Sequence, residues 1–140
     1  MTTKEWLSRA KKMDSEINRL LEEQAKALTT ATGSTAPIAG EKVQTSRRNR
    51  SESKFLNYAA YSELIDRSID ELYAVKKEIL SAINELDSST LRTLLIARYI
   101  NFHTWEEIAV EMNYSYVHVV NNLHPRALRE IEKQLIEFNI

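Results

Sequence analysis

Apolar residues near the N-terminus recur in alternating steps of four and three, which is the spacing of a coiled-coil seam. Polar and charged residues fill the positions between them. Because this spacing places the apolar side chains on one face of a helix, we predict a first long amphipathic helix. Its apolar positions are Trp6, Ala10, Met13, Ile17, Leu20 and Ala27.

A second apolar stripe with heptad spacing predicts another long helix, which begins near Ser53. Two polar residues, Ser62 and Lys76, interrupt this stripe. Each helix needs a partner for its apolar face, and periodicity alone leaves two partners open: the other helix in an antiparallel hairpin, or another subunit in an oligomeric bundle. The stripe consists of Tyr58, Ile65, Ile69, Leu72, Ile79, Ile83 and Leu86.

The segment between the two stripes, at about residues 29–52, has no apolar period and is rich in Thr, Ser and Ala, with both Gly residues and one Pro. This composition predicts a linker that is mobile unless a partner orders it. It contains Arg47, Arg48 and Arg50, which could contact DNA phosphates as a flexible basic arm. A merely solubilising role fits the same residues equally well.

The C-terminal part of the chain has the pattern of a helix-turn-helix, in which two short helices are joined by a tight turn. Thr104 and Glu107 have the spacing of a capping box, and Ser115 is a good N-cap for the next helix. A third apolar helix precedes them in the sequence. Since Pro125 lacks an amide hydrogen, we expect His124 to leave helical angles and the helix to kink or restart there.

Composition narrows the class of protein. The chain has 140 residues with only 2 Gly and 2 Pro, and it contains no cysteine, so turns for a sheet are few and no disulfide framework exists. No apolar run reaches the ~20 residues that span a bilayer, and the N-terminus lacks the order of a signal peptide. We therefore expect an all-α, cytoplasmic protein with no membrane association. Residues 1–86 would form the helical hairpin or coiled coil, and residues 87–140 the helix-turn-helix domain.

Between Leu91 and Ile136 the chain resembles region 4 of sigma-70-type transcription factors. Over its whole length it is similar to phage- and prophage-encoded sigma-like regulators of the ArpU and RinA types, and this resemblance implies a regulator of phage gene expression. The first resemblance rests on Arg98-Tyr99, Trp105-Glu106-Glu107-Ile108-Ala109, Asn113-Tyr114-Ser115, Val119 and Ala127-Leu128. The second rests on Lys4-Glu5-Trp6-Leu7, Asp14-Ser15-Glu16-Ile17, Val43-Gln44-Thr45-Ser46 and Ile65-Asp66-Arg67-Ser68-Ile69-Asp70-Glu71-Leu72.

The second helix of the predicted motif would present one face to the major groove of DNA. Asn121 could read adenine, His118 could donate or accept a hydrogen bond, and Arg126 and Arg129 would suit phosphates. Region 4 reading helices usually carry several Arg residues early, and this chain departs from that pattern. A solvated or protein-contacting face is the alternative. The predicted DNA-binding residues are Ser115, Tyr116, Val117, His118, Val120, Asn121, Arg126 and Arg129.

Charge gives only weak support to this face. The formal net charge is -1 at pH 7, and phosphate neutralisation by Lys and Arg supplies most non-specific affinity for DNA. However, no acidic residue occurs from Met112 to Arg129. The predicted reading segment is therefore locally basic although the chain as a whole is not.

Other chemistry has little support in the sequence. No cysteine accompanies His103, His118 and His124, and we find no acid paired with them at ligand spacing, so we expect no metal site. The adjacent carboxylates Glu106 and Glu107 diverge on a helix and do not form a general acid/base pair. A glycine-rich phosphate loop and a nucleophile with a matching base motif are also lacking. We expect neither an enzyme nor a cofactor.

Together these observations predict a sequence-specific regulator of phage or mobile-element transcription. It would bind double-stranded DNA, act with host RNA polymerase and form a homo-oligomer through its N-terminal helices. Two alternatives stay open. One is a phage small-terminase-like subunit that recognises DNA for packaging, since such proteins also join a helix-turn-helix to an oligomerising helical segment. The other is a protein-interaction module that no longer binds DNA, which the weak basicity favours.

Overall fold

The computed structural model describes residues 1–32 and 44–137, and for residues 30–32 and 44–55 it describes the backbone alone. These residues are almost all helical, and no strand occurs in the described part of the chain, which confirms the all-α prediction. The helices are α1 (Thr3–Leu7), α2 (Arg9–Thr32), α3 (Gln44–Asn84), α4 (Ser89–Leu95), α5 (Trp105–Met112), α6 (Tyr116–His118) and α7 (His124–Glu137). A π-helical turn, Ile96–Ile100, continues α4, and a second, Val119–Leu123, joins α6 to α7.

The predicted linker at residues 29–52 is helical at both of its ends. Helix α2 ends at Thr32 and α3 begins at Gln44, so both helices include residues of the predicted linker. Composition is a weak guide here, because tertiary context routinely overrides intrinsic helix propensity. The middle of the predicted linker, residues 33–43, lies outside the described residues.

The chain divides into two compact units whose boundaries differ from the predicted boundary between residues 86 and 87. One unit, here called the packed unit, comprises Met1–Met13 and Leu72–Ile140, and the other, the paired-helix unit, comprises Asp14–Glu71. The first residues of the chain belong to the packed unit because α1 packs against α7. Hydrophobic periodicity predicts which face of a helix is buried but not which helix covers it.

Within the paired-helix unit, α2 and α3 contact each other through polar groups. Gln24 Nε2 donates a hydrogen bond to Ser62 Oγ at 2.6 Å and lies 3.4 Å from the Tyr58 carbonyl oxygen. Ile17 and Ile65 are buried in the same unit. The intramolecular pairing expected of a hairpin is therefore present, and Ser62, an interruption of the apolar stripe, is a hydrogen-bond partner of α2.

The packed unit contains most of the buried apolar residues. Lys76, the other interruption of the stripe, places its Nζ 4.8 Å from the centre of the Phe102 ring, and Lys11 Nζ lies 5.3 Å from the same ring. These cation–π contacts let both ammonium groups stay close to solvent above an aromatic surface. Fully buried side chains of this unit include Leu7, Ile79, Ile83, Leu94, Leu95, Ile108, Val119 and Ile131.

His124, the residue before Pro125, does not leave helical angles as predicted. His124 keeps helical angles (φ −63°, ψ −50°), and its amide donates to the carbonyl of Val119, five residues back. This wider π turn makes room for the proline ring, which would otherwise clash with the carbonyl four residues earlier, at Asn121. Helical structure therefore runs without a gap from Tyr116 through Pro125 to Glu137.

None of the described helices combines the length and the apolar character needed to cross a bilayer.

Candidate nucleic-acid interface

A tight turn separates α5 from the helix that begins at Tyr116. The predicted capping box is present: Thr104 Oγ1 accepts a hydrogen bond from the Glu107 amide, while the Glu107 carboxylate accepts one from the Thr104 amide. Asn113 follows α5 as its C-cap and adopts the left-handed conformation (φ 60°, ψ 39°) that Asn tolerates at a helix C-terminus. Ser115 Oγ then accepts the His118 amide at 3.1 Å and caps the next helix, as predicted.

The first turns of this second helix expose a mixed polar and apolar face. Val117 is 62% exposed, Tyr116 is 47% exposed, and Asn121 is also exposed. His118 and Val120 are half-buried beside them. The structure thus brings Tyr116, Val117 and Asn121 together on the surface, whereas Val120 is only partly available to a ligand.

His118 belongs to a row of polar side chains spaced four residues apart. Its Nδ1 lies 3.4 Å from Asn122 Nδ2, and Asn122 Oδ1 accepts a hydrogen bond from Arg126 at 3.3 Å. The Tyr114 ring packs against the His118 imidazole, with ring centres 5.0 Å apart. Sequence reasoning missed Asn122, although its spacing from His118 and Arg126 signals side-chain contact on a helix.

The predicted phosphate contacts divide into two groups. Arg126 and Arg129 are exposed on α7, and Arg129 lies at the rim of an open depression beside the N-terminal residues. The side chains of Arg47, Arg48 and Arg50 lie outside the described residues, although the backbone there is part of α3. Only the α7 residues can therefore be assigned to the same surface as the turn.

An aromatic cluster holds together α5, α7 and the π-helical turn that follows α4. Tyr99 Oη lies 2.6 Å from Nε2 of His124, which is 7% exposed, and the Trp105 ring centre is 4.4 Å from the imidazole centre. The Arg98 guanidinium lies 4.4 Å above the Trp105 ring. Trp105 is therefore a packing residue, and the cluster orients the helices on both sides of the turn.

Burial controls the ionisation of the aromatic cluster. Loss of solvent, together with the nearby positive charges of Lys4 and Arg98, lowers the pKa of His124 from 6.5 to about 4. Burial likewise raises the pKa of Tyr99 to about 12. Both side chains are thus neutral near pH 7, which suits a buried hydrogen bond between uncharged groups.

One histidine does pair with carboxylates, contrary to the expectation from sequence. His103 Nδ1 lies 3.0 Å from a Glu111 carboxylate oxygen, and Glu107 is close enough that the ligand atoms of all three residues lie within 4.8 Å of one another. The sequence signal was a repeated spacing of four residues, which places side chains in a row along one helix face. Among the described residues, these are the side chains that could hold a metal ion.

The electrostatic character of the surface changes across the turn. Glu106, Glu107 and Glu111 make the exposed side of α5 acidic, whereas the exposed residues from Asn113 to Arg129 are neutral or basic. A polyanion would therefore approach the second helix and α7 more readily than α5.

The structure defines the chain as an all-α protein in which a capped turn joins two helices above a buried aromatic cluster. The chain belongs to the family DUF1492, described as a protein of unknown function, whose model matches residues 33–132. That range includes α4, α5, the turn and most of α7. Comparisons with curated proteins and with solved structures found no match.

Proposed function

We propose that the chain is a sequence-specific, double-stranded-DNA-binding regulator of phage or mobile-element transcription that acts with host RNA polymerase. In this proposal α5 and the helix from Tyr116 form a helix-turn-helix, and the second helix enters the major groove. The observation that carries the proposal is the exposed face of Tyr116, Val117 and Asn121 immediately after the Ser115 cap. In DNA-binding helix-turn-helix proteins, residues at this end of the second helix contact base edges.

The chemistry of this face fits base recognition. Asn121 can form two hydrogen bonds to adenine, because its amide nitrogen can donate to N7 while its amide oxygen accepts from the N6 amino group. Val117 offers an apolar contact for a thymine methyl group. His118 is held in place by Tyr114 and Asn122, so its ring is ordered before DNA arrives. Such preorganisation reduces the entropy lost on binding.

The positive side chains of α7 suit the DNA backbone. Arg126 is hydrogen-bonded to Asn122 and Arg129 is exposed, so each guanidinium can approach a phosphate without leaving a buried site. Phosphate contacts fix the position of a protein on DNA but carry little sequence information. We assign Arg126 and Arg129 to this role, with Arg47, Arg48 and Arg50 as further contacts from the N-terminal part of α3.

We further propose that a homo-oligomer forms through the N-terminal helices. Three leucines of the paired-helix unit, Leu21, Leu56 and Leu64, are 44%, 71% and 40% exposed. Burial of such side chains against a second copy would remove apolar surface from water. An oligomer would also present two or more reading helices to DNA, which suits recognition of repeated half-sites.

The test is binding of the purified full-length protein to pooled fragments of its source genome over a range of salt concentrations. Asn121→Ala should reduce discrimination between the retained fragment and competitor DNA by about 1–3 kcal/mol. Arg129→Ala should weaken binding to all DNA and lower the salt slope by about one. Asn101→Ala and Arg67→Ala, which change exposed residues outside the proposed face, are the matched controls.

The outcomes separate the alternatives. Loss of selectivity in Asn121→Ala but not in Asn101→Ala supports base recognition by this face. Selective retention that Asn121→Ala and Arg129→Ala leave unchanged would contradict the assignment. Selective binding near a packaging site by a ring-shaped oligomer, without an effect on transcription, would favour the packaging subunit.

A second candidate function, docking to a protein, is favoured by the apolar character of the surface beside the turn. Val110 is 78% exposed and Tyr114 is 41% exposed. Together with Glu106, Ala109 and Tyr116 they line an open depression of about 470 Å³. If no DNA fragment is retained, purified host RNA polymerase is the partner to test, and Val110→Ser should then weaken its binding while Asn101→Ala should not.

A further inference from the structure

We propose that His103, Glu107 and Glu111 form a binding site for a divalent transition-metal ion such as Zn²⁺. The three residues are spaced four apart, and His103 lies directly before the Thr104 cap of α5. Glu107 and Glu111 occupy successive turns of the same face of α5. One imidazole nitrogen and two carboxylates thus converge from a single short segment.

The distances between the ligand atoms suit one shared ion. Zn²⁺ binds imidazole nitrogen and carboxylate oxygen at about 2.0–2.2 Å, so two ligands of one ion lie roughly 3–4 Å apart. His103 Nδ1 already lies 3.0 Å from Glu111 Oε1, and all three ligand atoms are within 4.8 Å of each other. Since the Glu107 and Glu111 side chains are exposed, small rotamer changes can bring their carboxylates to an ion between them.

Neighbouring groups hold the Glu107 carboxylate and the backbone of His103. One Glu107 oxygen accepts hydrogen bonds from Thr104 Oγ1 at 3.0 Å and from the Thr104 amide, which leaves the other oxygen for an ion. The His103 backbone is held on both sides, because its amide donates to Ala97 and its carbonyl accepts from Arg98 at 3.0 Å. Partners of this kind, which hold a ligand in place, often raise metal affinity.

The ligand types select the class of ion. Imidazole with carboxylates suits zinc and other first-row transition metals, whereas Mg²⁺ and Ca²⁺ prefer oxygen ligands alone. Three protein ligands would leave a position on tetrahedral Zn²⁺ for water. A bound dication would also neutralise two carboxylates on the acidic side of α5.

The test is calorimetric titration of Zn²⁺ into metal-free, full-length protein, with Mg²⁺ as a comparison ion. We expect one Zn²⁺ per chain, bound more tightly than Mg²⁺. His103→Gln and Glu111→Gln should each weaken Zn²⁺ binding at least about tenfold, since even the loss of a supporting partner costs 10- to 100-fold. Glu107→Gln keeps the capping acceptor and should also weaken binding.

Glu106→Gln is the matched control, because it removes the same charge from the same helix but lies outside the cluster. Its Zn²⁺ affinity should stay within about twofold of the wild type, and circular dichroism should show unchanged helix content in every variant. Absence of Zn²⁺ binding, or equal weakening by Glu106→Gln and Glu111→Gln, would overturn the proposal. The titration contains no DNA, so its result is independent of the proposed DNA binding.

Discussion

The packed unit and the paired-helix unit are built from helices with similar apolar spacing, yet they bury that spacing to very different extents. In the packed unit, Ile79, Ile83 and Leu94 are completely buried, at 0% exposed. In the paired-helix unit, Ile17 and Ile65 are buried, but leucines at other positions stay exposed. A heptad pattern therefore indicates a face that can be buried, while the number of neighbouring helices decides how much of it is buried.

The polar contacts of the packed unit are likewise more deeply buried than those of the paired-helix unit. Tyr99 and His124 form a hydrogen bond within a buried aromatic cluster, where an unpaired group would lose its solvation. Gln24 and Ser62 form theirs on partly buried helix faces, where water can replace either partner. Interactions in the packed unit should therefore contribute more to the free energy of unfolding than similar ones in the paired-helix unit.

The largest expected difference is between two identical substitutions, one in each unit. Leu94→Ala should reduce the free energy of unfolding by about 2–5 kcal/mol, because it leaves a cavity around a fully buried side chain. Leu64→Ala, at a position 40% exposed, should cost less than about 1 kcal/mol. Urea unfolding followed by circular dichroism measures both values. Equal losses would show that the apolar face around Leu64 is covered in solution.

A pH-dependent effect should come from the buried His124. The folded state holds the pKa of His124 at about 4, below its ordinary 6.5, so the unfolded chain takes up a proton in that interval while the folded chain does not. The free energy of unfolding should therefore fall by up to about 3 kcal/mol as the pH falls from 6.5 to 4. The charged groups that act on His124 are Lys4 and Arg98.

Urea unfolding at several pH values between 7 and 4 measures this effect. His124→Gln should remove the contribution of His124 to the pH dependence, whereas His118→Gln, at a half-buried histidine, should retain it. An equally steep loss of stability in His124→Gln would assign the pH dependence to other groups. Above pH 6.5 the wild-type protein should show little dependence from this source.

Local signals in the sequence predicted the helix boundaries around the turn. The Thr104 capping box and the Ser115 cap are present because each depends on residues three positions apart, which the sequence shows directly. Val119, Leu123, Ala127 and Ile131 recur every four residues in the sequence, and all four are buried. Val117 and Asn121 lie on the opposite face of the helix and are exposed.

Contacts between distant segments could not be predicted in this way. The partners of His124 come from other helices, and Pro125 suggested a break in the helix that a π turn avoids. The position of α1 against α7 likewise depends on which apolar faces meet, and periodicity does not encode that choice. The spacing of His103, Glu107 and Glu111 is visible in the sequence. Their side chains converge, however, only because His103 lies directly before the Thr104 cap of α5.

A smaller effect is expected at the cap of the candidate interface. Ser115→Ala removes the acceptor of the His118 amide, so it should reduce the free energy of unfolding by about 1 kcal/mol. Ser115→Asp keeps an acceptor and should restore most of that stability. Ser89→Ala, an exposed serine in the first turn of α4 rather than at its cap, is the control. An unchanged stability in Ser115→Ala would mean that water satisfies this helix end.

The smallest effect is expected where the paired-helix unit uses polar groups between its helices. The double variant Gln24→Leu with Ser62→Ala removes both partners of a hydrogen bond and adds apolar surface. Because no polar group is then left unpaired, the free energy of unfolding should rise or should change by less than about 1 kcal/mol. Ser62→Ala alone should be slightly worse, because it leaves the Gln24 amide with only the 3.4 Å contact to Tyr58. Urea unfolding of the three proteins tests this order. A loss of several kcal/mol in the double variant would show that this polar pair stabilises its unit as strongly as Tyr99 and His124 stabilise the packed unit. The contrast between the two units would then no longer hold.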